Sequence, residues 1–189
     1  ATGQMSQLIE DLLTYSRVER RAVQPGLVNL PALVTSLLEE RTPELENRQA
    51  SVHVAVPPDP ITADPESLAQ ALRNLLDNAL KFSTQLQAGT NQPSGAPTVE
   101  ISGRRTATAV QLWVKDNGIG FDPAQAGTLF APFHRLDERY EGTGIGLATV
   151  QRIVQRHEGR VWAEGEPGKG ATLWFTLGTV GPDEARPAS

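Results

Sequence analysis

Apolar positions recur along this chain with two periods. Met5, Leu8, Leu12 and Tyr15 are spaced 3, 4 and 3 apart, the heptad stripe of a helix that packs along a partner. No cap precedes the stripe, so a piece of a longer helix is expected. Pro25-Gly26 breaks the pattern. Asn29-Leu30-Pro31 then forms an N-cap with proline in the first turn, and Leu33, Val34, Leu37 and Leu38 give the next helix its apolar face. Pro43 is expected to disturb its far end. Val52, Val54 and Val56 alternate as in a strand that stops at Pro57-Pro58. Asp64-Pro65 opens a helix predicted to run to about Phe82. Residues 84–97 are uncharged, polar and rich in Gly and Pro, and predict a flexible loop. Val99 and Ile101, then Val110, Leu112 and Val114, alternate around Thr106–Thr108 as a hairpin. Residues 116–142 show no period, and a loop of that length in a small domain usually serves function. A helix is expected over 143–155, closed by Gly159, then strands at 161–163 and 173–177 around a glycine-rich turn, and a frayed tail over 178–189. The order of elements predicts an α+β fold with helices on one face of a mixed sheet, and no internal repeat is visible.

Composition narrows the chemistry. The 189 residues carry 17 Lys+Arg against 22 Asp+Glu, a net charge of −5, which argues against nucleic acid as a partner. No apolar run approaches the roughly 18 residues of a membrane helix, and no signal peptide is visible. With no cysteine, disulfides, thiolate metal sites and Cys nucleophiles are excluded, and a reducing, cytoplasmic location is expected. His53, His134 and His157 lack metal-ligand spacing.

Four segments could carry chemistry. On the 65–82 helix, Asn74, Asn78 and Lys81 fall within an arc of about 60°, opposite Leu68, Leu72, Leu75, Leu76 and Ala79. Two amide oxygens suit a hard cation and the ammonium suits a phosphate, although a solvated polar face would look the same. Asp116-Asn117-Gly118-Ile119-Gly120 follows a strand. An ionised Asp only accepts hydrogen bonds and so suits an amino group, while Gly118 and Gly120 permit close backbone approach; a plain turn is the alternative. Gly142-Thr143-Gly144-Ile145-Gly146-Leu147 opens a helix and offers amides to an anion, but it lacks the preceding strand of a dinucleotide fingerprint and the Gly-Lys-Ser/Thr of a P-loop. Gly168-Lys169-Gly170 could be no more than a hairpin turn.

Together, in this order, these segments resemble the ATP-binding catalytic domain of sensor histidine kinases, in the superfamily that includes gyrase, heat-shock chaperone and mismatch-repair ATPases. QALRNLLDNALKFS (70–83) is similar to the N box, DNGIG (116–120) to the first Gly box, FAPFHR (130–135) to the F box, GTGIGL (142–147) to the second Gly box, and Gly168-Lys169-Gly170 to the last. The likeness covers residues 28–177. MSQLIEDLLTYSRVE resembles the second helix of the dimerisation and phosphotransfer hairpin, and 143–177 is similar to the phytochrome-like branch. The resemblance implies a two-layer α/β sandwich with a mostly antiparallel sheet at 25–178, a hairpin fragment at 1–24 and a flexible tail at 179–189.

It also implies roles. Asn78 would hold Mg²⁺ bridging the phosphates of ATP, with Asn74 lining the same site. Lys81 and Arg135 would face the phosphates, and Phe82 the base or ribose. Asp116 would accept from the adenine amino group in a pocket shaped by Gly118 and Gly120. Gly142, Thr143, Gly144, Gly146 and Leu147 would receive phosphate oxygens, Thr172 would contact the nucleotide, and 122–142 would form a mobile lid. The implied reaction passes the γ-phosphoryl of ATP to a histidine and on to a response-regulator aspartate. The phosphoacceptor helix is missing from this sequence, so autophosphorylation by the chain alone is not expected. The intact protein would be a homodimer, and this fragment a monomer or weak dimer. Glu141 and Glu158 depart from the usual glycines, with small effects expected. His157-Glu158 imitates a phosphoacceptor pair, but it ends a helix, where a cation would be favoured. An ATPase driving a conformational cycle would normally place a carboxylate base at position 74, where this chain has Asn. A degenerate module that docks partners through the heptad stripe is the other alternative.

Overall fold

The computed structural model describes residues 2–83, 95–136, 140 and 142–178. Helix α1 (Thr2–Arg20) leads into strand β1 (Gly26–Val28) and helix α2 (Leu30–Glu39). The Asn29 side chain accepts from the Ala32 N–H at 3.0 Å, the cap its sequence context predicts. Pro43 does not disturb α2 but sits in the first turn of a separate short helix, α3 (Thr42–Asn47), where its missing N–H costs nothing. Strands β2 (Ser51–Ala55) and β3 (Ile61–Ala63) precede the long helix α4 (Pro65–Ser83). Strands β4 (Thr98–Arg105) and β5 (Val110–Asp116), a 3₁₀ turn at Pro123–Thr128, helix α5 (Gly146–Arg156), and strands β6 (Val161–Gly165) and β7 (Ala171–Leu177) complete the fold. The expected loop at 84–97 lies mostly outside the described residues, as do Glu141 and the 179–189 tail.

Five strands form one sheet in the order β2-β4-β5-β7-β6. β2 pairs parallel with β4, and the remaining pairs are antiparallel. The sheet is mixed and mostly antiparallel, as the resemblance implies. β1 and β3 pair separately as a two-stranded ribbon that the hydrophobic pattern did not reveal. Three residues per strand are too few to display a period.

Alternation in the strands builds the two layers. Val99, Ile101, Leu112, Val114, Leu173 and Phe175 face Leu68, Leu72, Leu75 and Leu76 of α4 and Val150, Ile153 and Val154 of α5 in one core. The intervening residues cover the opposite face. There Trp174 stacks between Trp113 and Trp162, with ring centroids 4.6 and 5.7 Å away. The Trp113 indole N–H donates to Glu100 at 3.2 Å. These cross-strand pairs shield the outer face without a second layer of helices.

The N-terminal helix is docked rather than free. Glu19 pairs with Arg152 at 2.6 Å, and the Arg156 guanidinium donates to the Val18 carbonyl, so α1 lies along α5. Just beyond α1, Arg21 pairs with Asp64 at 2.8 Å. Met5 and Leu13 remain 67% and 60% exposed, so an apolar strip on the far side of α1 is uncovered. His157 is structural, but not as a cation. Its Nε2 accepts from the Asp64 N–H at 3.1 Å while Nδ1 lies 2.9 Å from the Ile153 carbonyl. That pair of contacts requires a neutral ring protonated on Nδ1. His53 is exposed on the edge strand β2.

Candidate functional site

A cleft of about 230 Å³ opens between α1, α4, the residues leading into α5 and the stretch after the 3₁₀ turn. The apolar face of α4 is sunk in the core, so its polar stripe is presented to this cleft. Asn74, Asn78 and Lys81 all line it, joined by Arg135, Thr143 and Gly144 from the other wall.

The three residues of the stripe differ in what they leave free. Both ends of the Asn74 amide are engaged: Oδ1 accepts from Gln70 at 2.8 Å, and Nδ2 donates to the Gly146 carbonyl at 3.1 Å. Asn74 therefore ties α4 to the start of α5 while lining the cleft. Among the described residues, no protein group hydrogen-bonds the Asn78 amide, whose oxygen is left for a cation in the cleft. The Lys81 ammonium lies 4.6 Å from the centroid of the Phe82 ring. Burial lowers its pKa and the Arg135 charge adds to this, against the opposing pull of Asp11 and Asp77. An ammonium so desolvated gains much from an arriving phosphate. Arg135 lines the cleft while donating to the Tyr140 carbonyl at 2.5 Å.

A second, smaller cavity of about 10 Å³ adjoins the first and has Asp116 at one end, with Phe121, Leu129, Leu136, Leu147 and Leu173 around it. It has room for about one water. Asp116 ends β5 and is 4% exposed. Burial pushes its carboxyl pKa up to about 6, against the Gly118 and Ala171 N–H groups that favour the ionised form. The Gly118 N–H reaches Oδ1 at 2.8 Å. Asn78 and Phe82 line both cavities, so one helix spans the join between them. The Phe82 ring packs 5.1 Å from that of Tyr140.

The glycines divide by steric role. A Cβ on Gly118 would lie 1.7 Å from the Phe82 carbonyl oxygen, and Ile119 N–H donates to that same oxygen at 3.0 Å. Gly118 thus welds β5 to the end of α4. Gly120 does the same against the Glu166 carbonyl. Gly144 has φ +78° and packs on the Phe133 backbone. Positive φ at Gly142 and Gly144 keeps the chain non-helical there, so α5 begins at Gly146 rather than at 143. Gly146 is different: a Cβ there would meet no protein atom within 4 Å, although the residue lines the cleft. That open wall at a helix start fits an anion. Gly146→Ala is therefore expected to stabilise the fold by about 0.5–1 kcal/mol while weakening phosphate binding about tenfold or more. Thermal melts and nucleotide titration of the one variant check both halves.

One expected site residue stands apart from the cleft. Thr172 lies on the outer face of the sheet, cross-strand from Lys115 and Glu164, while its neighbours Ala171 and Leu173 line the Asp116 cavity. Strand alternation turns it away. Conversely, Gln7, Asp11 and Thr14 of α1 line the cleft and were not foreseen. The Thr143 hydroxyl donates to Asp11 Oδ2 at 2.5 Å across 132 residues of sequence, a separation no local pattern signals.

With this geometry in hand, likeness to known proteins is specific. Residues 63–180 match the family described as histidine kinase-, DNA gyrase B-, and HSP90-like ATPase. The chain is 35% identical over 179 residues to the methanogenesis regulatory histidine kinase FilI of Methanothrix harundinacea, covering 95% of this chain and 19% of that protein. It is 35% identical over 175 residues to the phytochrome-like protein Cph1 of Synechocystis, covering 92% and 22%. It thus spans about a fifth of the length of these relatives. The full-length ShkA structure in complex with AMPPNP superposes with TM-score 0.73 at 28% identity, over 90% of this chain and 35% of that one. The histidine kinase AdeS of Acinetobacter baumannii shares the fold, with TM-score 0.72 at 24% identity over 92% and 77%.

Proposed function

The chain belongs to the histidine kinase-, DNA gyrase B-, and HSP90-like ATPase family and carries the ATP-binding domain of its histidine kinase branch, and we propose that it binds ATP with Mg²⁺ across the two joined cavities. Asp116 accepts from the adenine amino group in the apolar pocket. Lys81 and the amides of 142–146 receive the phosphates, and Arg135 adds charge beside them. The Asn78 oxygen holds the cation. Among the described residues no cluster of three His, Cys, Asp or Glu could hold a metal by itself. A cation held by one amide and the nucleotide's own phosphates suits Mg²⁺. The observation that carries this reading is Asn78, unengaged by any group among the described residues and shared by both cavities.

In the intact protein we infer transfer of the γ-phosphoryl to a histidine on a hairpin whose second helix is residues 1–24, with relay to a response-regulator aspartate. The exposed apolar strip on α1 supports dimerisation through that hairpin. A cytoplasmic site for this activity is part of the same reading; no helix among the described residues is long and apolar enough to cross a membrane. Calorimetric titration with Mg²⁺-ATP tests the site. Asn78→Ala is expected to weaken Mg²⁺-ATP about tenfold or more and to leave metal-free ADP nearly unchanged. Equal binding of Mg²⁺-ATP by parent and variant would exclude Asn78 as the metal ligand.

A further inference from the structure

Asp11 stands on α1, yet its carboxylate is part of the cleft wall. It takes the Thr143 hydroxyl at 2.5 Å, inside the glycine loop that leads into α5. It also interacts favourably with the Lys81 ammonium. The proposed nucleotide site gives phosphate to this same ammonium and to the amides of the loop that carries this hydroxyl. α1 is held in this place by independent anchors, Glu19 to Arg152 and Arg21 to Asp64, so the carboxylate is delivered to the cleft by a docked helix and not by a wandering side chain. Gln7 and Thr14, on the same face of α1, line the cleft beside it.

We infer that Asp11 is a nucleotide-specificity residue: a carboxylate built into the phosphate subsite, which makes α1 docking and polyphosphate binding antagonistic. The inference rests on the nucleotide reading given above. The physical basis is simple. An anion already takes the Thr143 hydroxyl and stands in the cleft that holds the Lys81 ammonium, and a second anion brought beside it is repelled. The penalty grows with phosphate charge, so ATP suffers most, ADP less, and adenosine not at all. Linkage makes the effect reciprocal: whatever α1 docking subtracts from ATP affinity, bound ATP subtracts from α1 docking. Displacement of α1 from the glycine loop then accompanies nucleotide loading and frees the helix surface that faces the cleft.

Asp11→Asn removes the charge while its amide oxygen can still accept from Thr143; the exposed bond that Gln7 donates to the other carboxylate oxygen at 2.9 Å is given up. The test is calorimetric titration of parent and Asp11→Asn with Mg²⁺-ATP, Mg²⁺-ADP and adenosine, at low and high salt. The variant is expected to bind Mg²⁺-ATP about tenfold more tightly, Mg²⁺-ADP a few-fold more tightly and adenosine equally, with the gain shrinking as salt rises. In the parent, Mg²⁺-ATP is expected to accelerate hydrogen exchange of the α1 amides, and adenosine is not. Unchanged or weaker ATP binding in Asp11→Asn, with adenosine still bound, would overturn the inference and leave the nucleotide site standing. Binding of neither adenosine nor ATP by the parent would overturn both. Slower exchange in α1 on ATP addition would show the helix cooperating with nucleotide and would also refute the antagonism.

Discussion

Replacing Asp64 by alanine is expected to destabilise the chain by about 2–4 kcal/mol, from the lost N-cap of α4 and the donors left without their buried acceptor. The Asp64 side chain is 0% exposed. Its Oδ1 accepts from the Glu66 and Ser67 N–H groups at 3.1 and 3.2 Å, capping α4. Oδ2 accepts from Arg21 at 2.8 Å and from the Gln24 N–H at 2.9 Å, which fixes the path of the chain between α1 and β1. Its own backbone N–H donates to His157 at the end of α5. One residue therefore joins the α1 linker, the start of α4 and the end of α5. Alanine keeps only the last of these bonds and strands the other donors. Asp64→Asn should cost less, since an amide oxygen still caps α4 while the charge facing Arg21 is lost.

The pH dependence follows from the same contacts. Burial alone would raise the Asp64 pKa, but the Gln24 N–H, Arg21 and the Ser67 N–H outweigh it, and the net shift is downward. A carboxyl with a lowered folded-state pKa contributes stability above its unfolded value of about 4 and loses it as pH falls through the folded value. Denaturant titrations at pH 7 and near pH 3 are the check. The parent should lose stability over that interval, and Asp64→Asn should lose less. An equal loss in both would mean that another group governs the acid limb.

Much of this arrangement can be read from the sequence because it is local or periodic. The α4 stripe is the clearest case: a helical period of 3.6 separates Asn74, Asn78 and Lys81 from Leu68, Leu72, Leu75 and Leu76, and the cleft and the core divide along that line. Asp116 lies at the end of a strand whose alternation is plain. Other features depend on contacts that no local pattern encodes. Asp11 meets Thr143, and Asp64 meets both Arg21 and His157, only after the chain has folded. The Asn74 amide resembles that of Asn78 in sequence, and only the position of the Gly146 carbonyl and Gln70 distinguishes them. Thr172 shows the converse. The motif around it resembles the family, but strand parity is decided by register against β5, which turns Ala171 and Leu173 inward and Thr172 out.

Asp116→Ala is expected to reduce ATP affinity about 100-fold, and the parent's affinity is expected to fall as pH drops below about 6. A buried acceptor at the closed end of an apolar pocket recognises a base by what that base donates. On the proposed reading the amino group of adenine would donate there, whereas guanine presents a carbonyl oxygen at the corresponding edge and would set acceptor against acceptor. ATP should therefore be preferred over GTP by at least about 100-fold. Asp116→Asn should narrow that preference, because the amide can donate to the guanine carbonyl. Its single oxygen can keep only one lone-pair side for the Gly118 and Ala171 N–H groups, so a thermal melt must accompany the titration. The sign of the pH effect is fixed by burial. Because the folded-state pKa is raised to about 6, the carboxylate weighs against the fold as pH rises from about 4 to 6, and a donated hydrogen bond from adenine relieves part of that cost. Below pH 6 the group is protonated before the nucleotide arrives, and ATP must displace the proton. Affinity should then fall by up to tenfold per pH unit, while GTP, which gains a donor in the protonated carboxyl, loses less. Titration of both nucleotides between pH 5 and 8 decides the matter: parallel pH profiles for ATP and GTP would remove Asp116 from the base-recognition site.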